Sequence, residues 1–179
     1  MGYQEDRMKL HLGCGDNYIV GWVNVDLAGE VDLHSDLRKP LPFLDQSVDF
    51  VFNEHLIEHL TYDDGLNLIR ECFRVLKPEG VFRISTPDLD FLIECYQRNR
   101  IGEYADMGWN PETSCKFINE GMKLWGHQFI YNFKELIASL VKTGFSAIEI
   151  KDWRVSTHKE LENLERRPYH QEIILEATK

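Results

Sequence analysis

Hydrophobic and polar positions follow two different periods along this chain. Seven short runs predict strands: Lys9–Leu12, Trp22–Asp26, Val31–His34, Ser47–Asn53, Val81–Thr86, Phe145–Trp153 and Glu172–Ala177, of which Ser47–Asn53, largely β-branched and aromatic, reads as buried. Longer stretches repeat at three and four residues. In Thr61–Lys77, Leu66, Ile69, Phe73 and Leu76 share one face, and Lys77-Pro78-Glu79-Gly80 supplies a stop. Leu89, Leu92, Ile93 and Tyr96 predict a second helix. A third carries Phe133, Leu136, Ile137, Leu140 and Val141, with Asn132 and Glu135 as a capping pair and Gly144 at its end.

Periodicity fails in two places. Residues 100–131 are rich in Gly, Asn and aromatics and predict an irregular lid or substrate segment. Lys159–Arg167 predicts a charged loop or a solvated helix, and the two prolines of Lys39–Phe43 mark another loop. Strands alternating with helices imply an α/β fold with a mainly parallel, doubly wound sheet covered on both faces. The last two strands have no helix between them, so an antiparallel last strand is expected at one edge.

Composition narrows the class. The chain has 179 residues, enough for one domain with a sizeable core, and a net charge of −10 that disfavours nucleic acid as a partner. Cys14, Cys72, Cys95 and Cys115 form no CxxC pair, which fits reduced thiols in a cytoplasmic protein. Residues 1–8 are short and polar, with no apolar leader, and no run reaches membrane-spanning length.

The candidate chemistry follows the strands. The first strand stops at Gly13-Cys14-Gly15-Asp16, a turn in which glycine permits left-handed backbone and close ligand approach. Asp26 ends the second strand, with Leu27 beside it, Asp36-Leu37 follows the third, and Asn53-Glu54-His55 ends the fourth. In a doubly wound sheet these ends converge on one crevice. An acid after the second strand suits ribose hydroxyls, and an acid with a neighbouring amide after the third suits adenine. Each acid alone is equally a turn or cap residue, but the ordered set describes an adenosine-containing ligand. A nicotinamide fingerprint fails, because Tyr18 stands three residues after Gly15.

These pieces, with Leu41-Pro42-Phe43, Ser47–Val51, Glu54-His55-x-x-Glu58-His59-Leu60, Arg74–Gly80 and Gly144-Phe145, resemble the class I S-adenosylmethionine-dependent methyltransferases. The likeness is greatest to the small group with the methyltransferase domain 11 pattern, and it runs from about residue 8 to 153. It implies a Rossmann-like fold and S-adenosylmethionine as cofactor. Gly13, Cys14, Gly15 and Asp16 would pass the methionine part, Asp26 with Leu27 the ribose, and Asp36 and Leu37 the adenine. Asn53 and Glu54 would lie beside the sulfonium and amino acid moiety. His11 replaces the family's usual acid, and only eleven positions separate Gly15 from Asp26, which cuts the first crossover helix to a turn. An open N-terminal side of this kind would be covered by a second copy or a partner subunit.

His55-x-x-Glu58-His59 also fits an inverted zinc-protease spacing. No third ligand is evident in the sequence, so no metal is assigned. His55 and His59 are the candidate catalytic residues, as general bases for an unidentified small-molecule or glycan-precursor acceptor. A helix-start histidine satisfied by backbone is the plain alternative, and His127 is a weaker candidate base. Methyl transfer is thus the expected function, with a non-catalytic cofactor-binding subunit as the alternative.

Overall fold

The computed structural model describes residues 7–179; most of the polar leader 1–8 lies outside the described residues. Seven strands form one sheet in the order β3-β2-β1-β4-β5-β7-β6. These are β1 (Lys9–Leu12), β2 (Val23–Asp26), β3 (Leu33–His34), β4 (Val48–Glu54), β5 (Leu76–Thr86), β6 (Ser146–Ile150) and β7 (Ile173–Thr178). Strands β1 to β5 pair in parallel, while β7 runs antiparallel to both β5 and β6. The sheet is the Rossmann-like arrangement expected, with β7 the strand that reverses direction.

Helices α1 (Tyr62–Val75) and α4 (Phe133–Thr143) cover one face of it. Thr61 caps α1 by accepting a hydrogen bond from the Asp64 amide. Leu68, Ile69, Cys72 and Val75 of α1 then pack with Leu10, Leu12, Val25, Val51, Phe82 and Ile84 in the main core. Asn132 caps α4 by accepting from the Glu135 amide. Gly144 ends it in left-handed backbone (φ 115), and the Phe73 ring lies 3.0 Å from where a Cβ would stand.

The opposite face departs from the expectation of a helix layer. The links β1–β2 and β2–β3 contain only turns and bends, so no crossover helix covers Trp22, Phe50, Phe52 and Val81. The segment between β6 and β7 covers them instead, through Leu161 and Leu164. Lys159–Arg167 is therefore the loop alternative, exposed at most positions but pinned to the sheet at Leu161, Leu164 and Glu165. Mid-strand Arg83 points into this layer, fully buried, and pairs with Glu165 at 2.5 Å and Glu176 at 2.6 Å. A buried guanidinium must be paired to be tolerated, and Glu165 ties the segment down.

Two further boundaries differ from the sequence pattern. Helix α1 stops at Val75, and Leu76 already pairs with Val48, so the Lys77–Gly80 stop falls inside β5. The supposedly irregular residues 100–131 contain α3 (Ser114–Lys123), which packs on α2 (Leu89–Gln97) through Phe117, Trp109, Phe91 and Leu92. Only Phe117 and Gly121 of α3 are buried, too sparse an apolar stripe to read. Among the described residues, no helix is long and apolar enough to cross a membrane.

Candidate functional site

The parallel registers bring the carboxyl ends of β1, β2 and β3 side by side, with Leu12 opposite Val25 and Asp26 opposite His34. The amides of Gly13 and Cys14 donate to the Val25 carbonyl and hold the glycine turn against β2. Gly13 has φ 67, and a Cβ there would lie 2.6 Å from Leu56 Cδ1, so both backbone angle and space demand glycine. Beside Gly15 the space is open.

Asp26 turns its carboxylate onto this turn: Oδ2 accepts from the Gly15 amide at 2.8 Å and Oδ1 from the Leu27 amide at 2.6 Å. Leu27 is 63% exposed on the rim. Leu37 is buried, while Asp36 accepts from the Arg38 side chain and amide, which hold its carboxyl down to about 2. Asp16 stands in solvent, and Arg166 reaches its carboxylate and its carbonyl.

His11 lies in the opposite layer. It is buried, stacked 5.0 Å from Phe52, with Nδ1 3.3 Å from Asn24 Oδ1. Burial pushes this imidazole down to about 4, so it is neutral at pH 7. At the end of β4, Asn53 is fully buried and neither of its amide atoms has a hydrogen-bond partner. The Glu54 carboxylate accepts from the amides of Arg166 and Arg167 at 3.0–3.1 Å and so anchors the segment before β7.

Beyond β4 the chain turns sharply. His55 takes left-handed backbone (φ 50), a conformation that bulky residues adopt only when the surroundings enforce it. Its ring faces a cavity of about 180 Å³ walled by Trp109, Trp125, Tyr104, His59, His127 and Glu172. His55 Nε2 is 2.7 Å from Glu172, and its Nδ1 is 3.1 Å from Glu58. Burial opposes a charge on this ring, but the two carboxylates outweigh it and raise its pKa to about 10. Both ring nitrogens of His55 thus face carboxylates, which favour its protonated form. Burial would raise the Glu58 carboxyl, yet His55 beside it holds the group below the usual range. Glu58 Oε2 also accepts from Thr86 Oγ1 at 2.9 Å.

His59 is part exposed, and its ring meets that of His127 edge-on at 5.0 Å. Trp109 is buried in the core between α2 and α3 and also lines the cavity. No sequence pattern marks Glu172, Arg166 or Arg167, which approach the site from far along the chain.

Residues 10–84, from β1 to near the end of β5, match a family model described as a methyltransferase domain. A curated protein of Mycobacterium tuberculosis (strain ATCC 25618 / H37Rv), named "Probable S-adenosylmethionine-dependent methyltransferase", is 48% identical over 101 residues. That match covers 46% of this chain and 36% of the relative. A Mycolicibacterium smegmatis protein of the same description is 48% identical over 58 residues, 32% of this chain and 22% of the relative. The chain thus spans about a third or less of these relatives' length. Among solved structures, an Archaeoglobus fulgidus S-adenosylmethionine-dependent methyltransferase superposes with a TM-score of 0.60 at 18% identity, over 97% of this chain and 86% of that one. A Haloferax volcanii complex containing the Trm112 methyltransferase activator gives 0.56 at 15%, over 97% and 83%.

Proposed function

We infer, from the premise that this chain carries a class I S-adenosylmethionine-dependent methyltransferase domain, that it transfers a methyl group to a small molecule held in the aromatic cavity. One observation carries this reading. Arg166 reaches Asp16 at the glycine turn while the adjacent Arg167, with His55, lines the cavity, which sets the turn and the cavity side by side.

The crevice suits the cofactor. Asp26 uses two of its acceptor sites on Gly15 and Leu27, and its remaining lone pairs are available to both ribose hydroxyls. Adenine would cover the exposed Leu27, with Asp36 and the Leu37 amide at its edge. Gly13, Cys14, Gly15 and Asp16 would pass the methionine part, and Asn53 carries unpaired amide groups for its polar end. Glu54 is engaged with Arg166 and Arg167, so its part would be to hold that segment rather than to bind cofactor directly. The cofactor supplies a methyl group already activated by the sulfonium, and the protein's task is to align an acceptor with it.

In that alignment the apolar walls exclude water and His55, fixed between Glu58 and Glu172, orients the acceptor. Tyr18 and Val20 are exposed in the shortened β1–β2 link, a side that a second copy or a partner subunit would cover.

Incubation of the protein with S-adenosylmethionine and a panel of small phenols, amines and carboxylic acids tests the reading by mass spectrometry. Formation of S-adenosylhomocysteine and of a methylated acceptor in equal amounts is expected. Tight cofactor binding with no turnover on any panel member would favour the non-catalytic subunit.

A further inference from the structure

We propose that Glu58, His59 and His127 bind one divalent transition-metal ion of the zinc class on the wall of the cavity. One nitrogen of each histidine and one Glu58 oxygen all lie within 4.8 Å of one another. His59 Nε2 and Glu58 Oε1 are 4.0 Å apart.

The orientation of each group points to a ligand role. His127 Nδ1 lies 2.9 Å from the Gly121 carbonyl, which can only accept, so Nδ1 carries the proton and Nε2 keeps its lone pair. Ligating histidines are commonly fixed in this way, by a hydrogen bond from the other ring nitrogen. Glu58 is similarly divided. Oε2 is bonded to Thr86, while Oε1 is buried and has no hydrogen-bond partner. His55 Nδ1 stands 3.1 Å from Oε1 but outside hydrogen-bond alignment, and His55 keeps Glu172 as its other partner. A buried carboxylate oxygen with no aligned donor is open to a metal ligand role, and binding there would replace its 3.1 Å contact with the His55 ring.

The backbone holds the three together. The amides of Gln128 and Phe129 donate to the Glu58 carbonyl, and the Gln128 side chain donates to the His59 carbonyl at 2.7 Å. His127 is thereby fastened opposite Glu58-His59 although 68 positions separate it from His59 in the chain. Ligands at zinc distances sit about 3.4 Å from one another in a tetrahedron, so a small swing of the part-exposed His59 ring closes the set. Two imidazoles and one carboxylate suit zinc, cobalt or nickel better than magnesium or calcium. Three protein ligands leave a fourth position facing the cavity. There, if the methyl-transfer reading above holds, the ion would orient the acceptor's donor atom.

Metal binding can be measured with no cofactor present, so its failure is separate from failure of the methyl-transfer reading. The metal-free 179-residue chain is titrated with zinc by calorimetry and with cobalt by visible absorption, beside His59→Ala, His59→Gln, His127→Ala and the surface control His34→Ala. Circular dichroism checks the fold of each. The His59 ring makes no hydrogen bond among the described residues, so at least the two His59 variants should stay folded. One equivalent of metal is expected, with visible bands of low-coordinate cobalt. The His59 and His127 variants should lose at least about tenfold in affinity, and His34→Ala should lose nothing. No saturable binding, or binding that the His59 and His127 variants retain in full, would overturn the proposal.

Discussion

At the scale of single residues, the crevice is organised by Asp26. Its carboxylate holds the glycine turn and, on the proposed reading, would accept from the ribose hydroxyls, so Asp26→Ala should weaken S-adenosylhomocysteine binding by about 1–3 kcal/mol through lost hydrogen bonds. Equal affinities of variant and parent in a competition assay would mean that the ribose lies elsewhere. His11 makes a pH prediction. Its folded pKa of about 4 lies below the 6.5 of an unfolded histidine, so the unfolded chain binds the extra proton between those values. Stability should therefore fall as pH drops from 6.5 towards 4, by about 3 kcal/mol from this group. His11→Phe, which keeps the stack on Phe52, should flatten that part of the urea-denaturation profile; an unchanged slope would place the titration on other groups. Residues acting through neighbours in sequence, such as Gly13, Asp26 and Asp36, were legible because strand ends and turns are local. Glu58 with His127, His55 with Glu172, and Glu54 with Arg166 were not, because their partners lie 69, 117 and 112 positions away and no periodicity links them.

At the scale of elements, the unusual part is the cover on the helix-poor face of the sheet. Period-two and period-3.6 patterns revealed every strand and three of the four helices. Helix α3 escaped because its buried side is only Phe117 and Gly121, and the β6–β7 segment escaped because charge suggested solvent where Glu165 is in fact buried beneath it. Arg83 was the available clue, a cation in the middle of an apolar strand that must find a partner inside. Replacing it strands the buried Glu165 without its cation and leaves Glu176 only the Lys151 ammonium at 3.5 Å. Arg83→Met should cost about 3–5 kcal/mol in urea denaturation. Since the same segment presents Arg166 to Asp16 and Arg167 to the cavity, cofactor affinity should drop in the folded fraction as well. A variant as stable as the parent would show that the segment is held by its apolar contacts alone.

At the scale of the whole molecule, the sheet places two spaces next to one another at the carboxyl ends of its strands, one polar and glycine-lined, the other aromatic. Ligand occupying the first stabilises the folded state by mass action. At a hundredfold excess over its dissociation constant, S-adenosylhomocysteine should contribute about 2.7 kcal/mol and raise the melting temperature by roughly 5–10 °C. A melting curve unmoved by ligand would argue against a preformed site. The central claim, that this crevice is a methyl-donor site, is tested most directly by calorimetric titration of the 179-residue protein with S-adenosylmethionine and S-adenosylhomocysteine. Saturation at one equivalent, with a dissociation constant on the order of micromolar, is the predicted result. Absence of heat with both, alongside saturable binding of NAD, would contradict it.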